Sequence, residues 1–313
     1  MGRNRRLAAV VVLVLLALLA ACGSASTAKS SVATRPGGTT YTVATMSQTF
    51  VDTRHGTLAN GGEPSKPTRT LVTAIYYPTP STGGPFPLIV FAHGFDSTPA
   101  SYDNLLRSWA AAGYVVAAPA FPLSNSGAPG GASQNDIVNQ PGDVSFVINQ
   151  MARINGEPGP LKGLIDPKHI GAAGHSAGAV TIMGAALDSC CRDDRIGAAE
   201  IMSGFEGDFP NGAYHTASTP VLFLHGDHDE SIPFGRGQQA YLDALPPKYF
   251  VALLGADHSG PFSNGPSTPA TDVVVRTTLD FFDRYLKGRA DGITRLSHDG
   301  AVSGVSTFES VER

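Results

Sequence analysis

Residues 169–189 read HIGAAGHSAGAVTIMGAALDS, and the change of character halfway along this run decides the fold. The first half is a short apolar stretch, as a buried strand requires. The second is a longer run of small and apolar residues without proline, as a packed helix requires. Between them Gly174, His175, Ser176, Ala177 and Gly178 form G-x-S-x-G. A strand that turns at once into a helix needs a sharp bend, and glycine on either side lets neighbouring backbone approach where a Cβ would clash. The bend lifts the serine above the sheet edge, at the amino end of a helix whose unsatisfied N–H groups favour a developing negative charge. Five residues alone would also suit an N-capped helix start; the strand before and the helix after make Ser176 the candidate nucleophile. Gly178, Ala179, Gly184, Ala185 and Ala186 are small, which suits close packing of this helix on a sheet.

The same alternation extends in both directions. TLVTAIYYP (70–78), PLIVFAHGF (87–95), YVVAAPAF (114–121), IGAAEIMSG (196–204), PVLFLHG (220–226) and KYFVALLG (248–255) read as further strands. SYDNLLRSWAAAG (101–113), GDVSFVINQMARI (142–154) and TDVVVRTTLDFFDRYLKG (271–288) carry apolar residues at helical spacing. Strands this uniformly apolar, alternating with helices, predict an α/β fold with a mainly parallel, doubly wound sheet and helices on both faces. Only sixteen residues, 205–220, separate two of the strands, too few for a helical cap domain. The long polar, glycine-rich stretch at about 121–141 reads as a mobile rim element or a functional loop.

The amino terminus has a different character. MGRNRR precedes an uncharged apolar run from Leu7 to Ala20, which has the form of a secretory signal and is short of the roughly 20 residues that span a bilayer. It ends in LAAC, which resembles the bacterial lipobox and makes Cys22 the expected lipidation site, with residues 1–21 as signal. Residues 22–40 are rich in serine, threonine, alanine and glycine and read as a flexible tether. A catalytic domain over 41–290 and a tail over 291–313 follow. The expected location is extracytoplasmic, anchored to a membrane by lipid. A formal net charge of −4 with interspersed signs offers no basic field for nucleic acid. Cys190 and Cys191 are expected as two thiols in preference to a vicinal disulfide.

LHGDHDESIP (224–233) crowds two histidines, two aspartates and a glutamate into ten positions. His225, Asp227, His228 and Asp229 could be metal ligands, yet a hydrolytic metal site needs three or more converging ligands. The alternative is that one carboxylate orients a histidine elsewhere. Further on, ALLGADHSGPF (252–262) holds His258 after a strand-like run, behind both Ser176 and an acid in chain order.

Taken together, GHSAG, FAHGF, GDHDESIP and GADH resemble the α/β-hydrolase superfamily, over about residues 41–288. The arrangement is similar to its small cap-less members: polyester hydrolases and cutinase-like esterases, dienelactone-hydrolase-like proteins and platelet-activating-factor acetylhydrolase-like proteins. The dienelactone hydrolases use cysteine where this chain has Ser176. The resemblance implies a serine, acid, histidine order. The superfamily pattern G-x-x-D-x-x-[VI]-P falls on Gly226, Asp229, Ile232 and Pro233, so Asp229 is the implied acid, with Asp227 the runner-up and Glu230 solvated. His258 is the implied base, and the backbone N–H groups of Phe95 and Ala177 are the implied oxyanion donors. His93 is expected to brace its loop, and Asp257 to hold a turn. No cofactor and no metal are implied. The expected activity is hydrolysis of carboxylic esters, small or polymeric, with pockets shaped by Phe95, the 121–141 loop and the segments around Phe205 and Phe262. Peptide or amide hydrolysis on the same fold, and an inactive surface-binding lipoprotein, are the competing readings.

Overall fold

An apolar run such as Phe86–Ala92 hides its backbone only as a strand paired on both sides and covered on both faces. It does so here, in a computed structural model that describes residues 40–214 and 217–313. The signal segment, Cys22 and nearly all of the tether lie outside the described residues. The chain runs β1 (Thr42–Asp52), β2 (Arg69–Thr79), β3 (Phe86–Ala92), α1 (Asp103–Ala111), β4 (Val115–Ala120), α2 (Gln140–Gly156), β5 (Ile165–His175), α3 (Ala177–Leu187), β6 (Ile196–Met202), β7 (Val221–Gly226), α4 (Phe234–Asp243), β8 (Lys248–Leu253), α5 (Pro269–Leu286), α6 (Gly292–Gly300) and β9 (Ser306–Val311). The strands form one sheet in the order β1-β2-β4-β3-β5-β6-β7-β8-β9. The pairs among β3 to β8 are parallel, while β2 is antiparallel to β1 and β4, and β9 is antiparallel to β8. This is the α/β-hydrolase fold expected from the sequence. In such a sheet the loops at the carboxyl ends of the parallel strands converge, and sites form there.

Each face of the sheet has its own apolar cluster. On one face α2 and α3 pack over β5 and β6 through Val147, Met151, Ile182 and Ile201. Every residue of α3 is buried, which explains its small, uncharged composition. On the other face α1 and α5 cover the sheet through Leu106, Trp109, Phe281 and Phe282. The Trp109 indole N–H donates to Thr278 Oγ1 at 3.0 Å, so the largest buried ring is also satisfied. Helix α5 opens on a reciprocal cap in which Thr271 N–H donates to Thr268 Oγ1 and Thr268 N–H to Thr271 Oγ1, worth about 1 kcal/mol.

Two edge strands, β1 and β9, were absent from the sequence reading. β1 is polar and half-exposed along most of its length, and β9 lies inside 291–313, the segment set apart above as a tail, where it pairs with β8 over six residues. Cys190 and Cys191 form a vicinal disulfide, which corrects the expectation of two thiols. The 121–141 stretch is pinned from below. Arg69, 2% exposed, donates two hydrogen bonds to Asp143 at 2.8 and 2.6 Å and two to Asp136 at 2.8 Å. Burial pushes the Asp143 carboxyl up to about 6 against the pull of Arg69. Such a cluster gains little net stability, because desolvation offsets attraction, but breaking it costs about 3–5 kcal/mol. It therefore holds the start of β2 and the start of α2 in one arrangement.

One buried group works against the fold. Glu200 lies within β6 between Ala173 of β5 and Leu222 of β7, fully buried, with neither carboxyl oxygen in a hydrogen bond. Burial raises its pKa well above the usual glutamate range, so the folded chain holds this proton while the unfolded chain releases it. Above the ordinary glutamate pKa the folded state binds more protons than the unfolded state, so this residue makes stability fall as pH rises. Glu200→Leu is expected to raise the urea unfolding midpoint at pH 7, with the gain shrinking toward pH 4. A gain independent of pH, or a loss at pH 7, would contradict this.

Candidate active site

Ser176 is the whole turn between β5 and α3, at φ 57° and ψ −124°. A residue with a Cβ held there costs about 1–3 kcal/mol, sustained only by its surroundings. Those surroundings are backbone. Ser176 N–H donates to Met202 O at 2.9 Å, and Ser176 O accepts from Ala179 N–H at 2.9 Å and Val180 N–H at 3.2 Å. The flanking glycines are obligatory: a Cβ at Gly174 would lie 2.3 Å from Gly178 O, and one at Gly178 would lie 2.1 Å from Ala92 O. Ser176 is left half-buried at the carboxyl end of β5.

Two other loops at the same sheet edge meet it. The loop after β7 carries Asp229 and the loop after β8 carries His258. Asp229 Oδ2 accepts from His258 Nδ1–H at 2.7 Å, and His258 Nε2 accepts from Ser176 Oγ–H at 2.9 Å. Because Nδ1 donates to a carboxylate, Nε2 is left as the acceptor facing the serine. Burial alone would raise the Asp229 pKa, but the hydrogen bonds from His258 and from Ile232 N–H outweigh it and hold the carboxyl below its usual range. Its Oδ1 accepts from Ser231 N–H at 3.0 Å and Ile232 N–H at 2.8 Å. The group therefore stays ionised and fixed in direction. A hydroxyl, an imidazole and a carboxylate in this order can move a proton off the serine and stabilise the resulting imidazolium.

The crowded run 224–233 separates once folded. Asp227 accepts from Gly255 N–H at 2.6 Å and braces the end of β8. His228 and Glu230 are exposed. His225 is buried with Nε2–H directed to Ile232 O at 2.9 Å, and it also lies 3.3 Å from Asp229 Oδ2; burial lowers its pKa, so it backs the acid as a neutral ring. Asp257 accepts from Ser259 and Gly260 N–H, a turn residue as read.

Phe95 and Ala177 flank the serine. Ala177 is the first residue of α3, where a helix leaves its N–H without an internal acceptor. Phe95 follows Gly94, where a Cβ would lie 3.3 Å from Ser176 Cβ. It precedes Asp96, at φ 52°, whose N–H donates to Ser124 O at 2.8 Å. His93 donates from Nδ1 to Gly94 O at 2.7 Å and accepts Phe121 N–H at Nε2 at 3.1 Å. Burial lowers its pKa to about 4, so it braces the loop as a neutral ring.

A second chain of hydrogen bonds joins these loops from beneath, and sequence reading missed it. Gly94 N–H donates to Tyr102 Oη at 3.1 Å, Tyr102 Oη–H to His175 Nδ1 at 2.8 Å, and His175 Nε2–H to His258 O at 2.7 Å. His175 is thus the brace between the loop of Gly94 and the loop of His258, its pKa lowered to about 3 by burial and then by the nearby His258. Nothing local marks Tyr102, 73 positions away in sequence. Phe262, expected at the rim, is 2% exposed and packs on His175 with ring centroids 5.2 Å apart; it is core. Phe205 is half-exposed under the Arg236 guanidinium at 3.6 Å.

Residues 43–199 match the sequence profile of the family described as chlorophyllase. This span holds β1 to β5, Phe95 and Ser176 but ends before Asp229 and His258. Over 213 residues the chain is 25% identical to the bis(hydroxyethyl) terephthalate hydrolase of Streptomyces coelicolor, covering 68% of this chain and 61% of that relative's length.

Removing the Tyr102 hydroxyl would strand Gly94 N–H and His175 Nδ1, both buried. Tyr102→Phe is therefore expected to lower the free energy of unfolding by about 1–3 kcal/mol in urea titration. A loss under about 0.5 kcal/mol, the range of an uninvolved surface residue, would contradict the brace.

Proposed function

Since the chain belongs to the chlorophyllase family, we propose that it is a serine hydrolase that cleaves carboxylic esters through an acyl-enzyme on Ser176. The reading is carried by one observation, the unbroken line Asp229–His258–Ser176 at 2.7 and 2.9 Å. Ser176 Oγ gives its proton to His258 Nε2 and attacks the ester carbonyl carbon. The carbonyl oxygen takes the negative charge and accepts hydrogen bonds from Phe95 and Ala177 N–H, each donor worth about 2.7–4 kcal/mol in comparable sites. Collapse breaks the carbon–oxygen bond to the alcohol, and that oxygen leaves with the proton held on His258. Water then gives a proton to His258 and attacks the acyl-enzyme, and the carboxylic acid departs as the proton returns to Ser176. Asp229 stays ionised throughout and stabilises the imidazolium.

The named activity of the Streptomyces relative supports esters of aromatic acids as one substrate class. None of the described residues between β6 and β7 is helical, which supports an uncovered cleft open to bulky esters. The amino-terminal sequence supports an extracytoplasmic protein whose mature chain begins at a lipidated Cys22.

Two outcomes follow. A fluorophosphonate is expected to label the wild type and not Ser176→Ala, and that variant should lose more than about a thousandfold in kcat on p-nitrophenyl acetate; turnover retained by Ser176→Ala would overturn the mechanism. In a bacterial host with lipoprotein processing, labelled palmitate should be incorporated by the wild type and not by Cys22→Ser. Equal labelling of both would remove the anchor.

A further inference from the structure

A groove of about 400 Å³ lies between the β1–β2 connection and the loop after β4, and none of the triad residues lines it. One side carries Leu58 and Pro64, the floor Val72 and Ala120, and the far wall Leu123. Along β2 alternate residues share a face. Tyr76 and Ala74 on this face pack in the cluster that holds Leu106 and Trp109 of α1. Val72, next on the same face, is left 49% exposed, and Leu58 above it 52%. Large apolar side chains exposed inside a concavity mark a binding surface more than a solvated one. The charged side chains lining it, Glu63 and Lys66, are of opposite sign, so the groove presents no net charge to its occupant.

The groove is preformed. Thr57 and Lys66 exchange two backbone hydrogen bonds at 2.9 and 2.8 Å, and Asn60 and Glu63 two at 3.0 and 2.8 Å. Asn60 Nδ2 reaches across to Pro129 O at 2.8 Å and Gly131 O at 2.6 Å. Gly61 and Gly130 approach so closely that a Cβ on Gly61 would lie 2.0 Å from Gly130 O. On the opposite face of β2 the buried Arg69–Asp136–Asp143 cluster ties the end of the β1–β2 connection to the segment that follows the β4 loop. Walls clamped and tied in this way spare a ligand the ordering entropy of a mobile loop.

One wall of the groove is tied to the loop that carries Phe95. Ser124 O accepts from Asp96 N–H, and Ser126 N–H donates to Ser97 O at 3.1 Å. The far wall is therefore hydrogen-bonded to the residues that directly follow Phe95. We propose that this groove is the subsite for the non-reacting arm of an extended, neutral, largely apolar ester whose carbonyl sits at Ser176. The inference rests on the hydrolase reading above and adds a length preference to it. Apolar surface buried in the groove would be gained by long substrates and not by an acetyl ester with a short alcohol.

Val72→Trp fills the floor, and Leu58→Lys, on an exposed loop residue, replaces an apolar wall with a charge. The test compares kcat/KM on p-nitrophenyl dodecanoate (long acyl arm), dodecyl acetate (long alcohol arm) and ethyl acetate as the short reference. For one of the long esters the ratio to ethyl acetate is expected to fall about tenfold or more in both variants, and the ester affected identifies the arm. Binding of Nile red, a neutral apolar dye, displaced by dodecanol in full-length Ser176→Ala, should weaken in parallel when Val72→Trp is added. Unmoved ratios for both long esters in an active enzyme would overturn the subsite while leaving the hydrolase reading intact. If the wild type hydrolyses no ester, the hydrolase reading fails, and unchanged dye binding in the Val72→Trp background then overturns the groove as well.

Discussion

A single serine in left-handed backbone is the constraint on which the rest depends. With one residue between β5 and α3, the chain reverses from strand to helix only if Ser176 takes a positive φ and its neighbours pass within backbone contact. Gly174 and Gly178 meet that condition by having no side chain at all. The stored strain is offset by the apolar sandwich of α3 between the sheet and α2, so a buried helix of small residues and a half-buried serine hydroxyl at the sheet edge are two ends of one solution. Parallel strands then bring the loops after β7 and β8 to the same edge, and the imidazole and carboxylate arrive from separate parts of the chain.

Around that edge the polar groups are arranged so that one histidine faces the serine and others hold it there. His93 and His175 each use both ring nitrogens and are kept neutral by burial. Each ties one loop to another. His225 and His258 both approach Asp229 Oδ2, at 3.3 and 2.7 Å. Buried polar groups of this kind are costly unless satisfied, and satisfied they fix geometry within the tolerance that proton transfer needs. Preorganisation here comes from three neutral imidazoles and a tyrosine, at positions where a purely apolar core would leave the loops free to drift.

The parts legible in sequence were those encoded locally. The G-x-S-x-G turn, the buried strands and the amphipathic helix α5 each announce themselves within about a dozen residues, and Asp229 and His258 were reached through a superfamily pattern and chain order. What could not be read is long-range. Edge strands β1 and β9 have polar, half-exposed faces whose pairing is decided by a partner elsewhere. At 121–141 the choice between a mobile rim and a functional loop stays open in the sequence because the anchor, Arg69, lies 67 and 74 positions from Asp136 and Asp143. Tyr102 and Phe262 could not be placed for the same reason, since the His175 ring that each meets lies far along the chain.

The central claim, that the hydroxyl of Ser176 becomes the acyl carrier, is tested most directly by rapid-quench mass spectrometry during turnover of an ester that deacylates slowly. The mechanism predicts a covalent acyl adduct that approaches one per chain before steady state and maps to the peptide holding Ser176. Turnover with no adduct on that peptide, or with the acyl group on another residue, would contradict it.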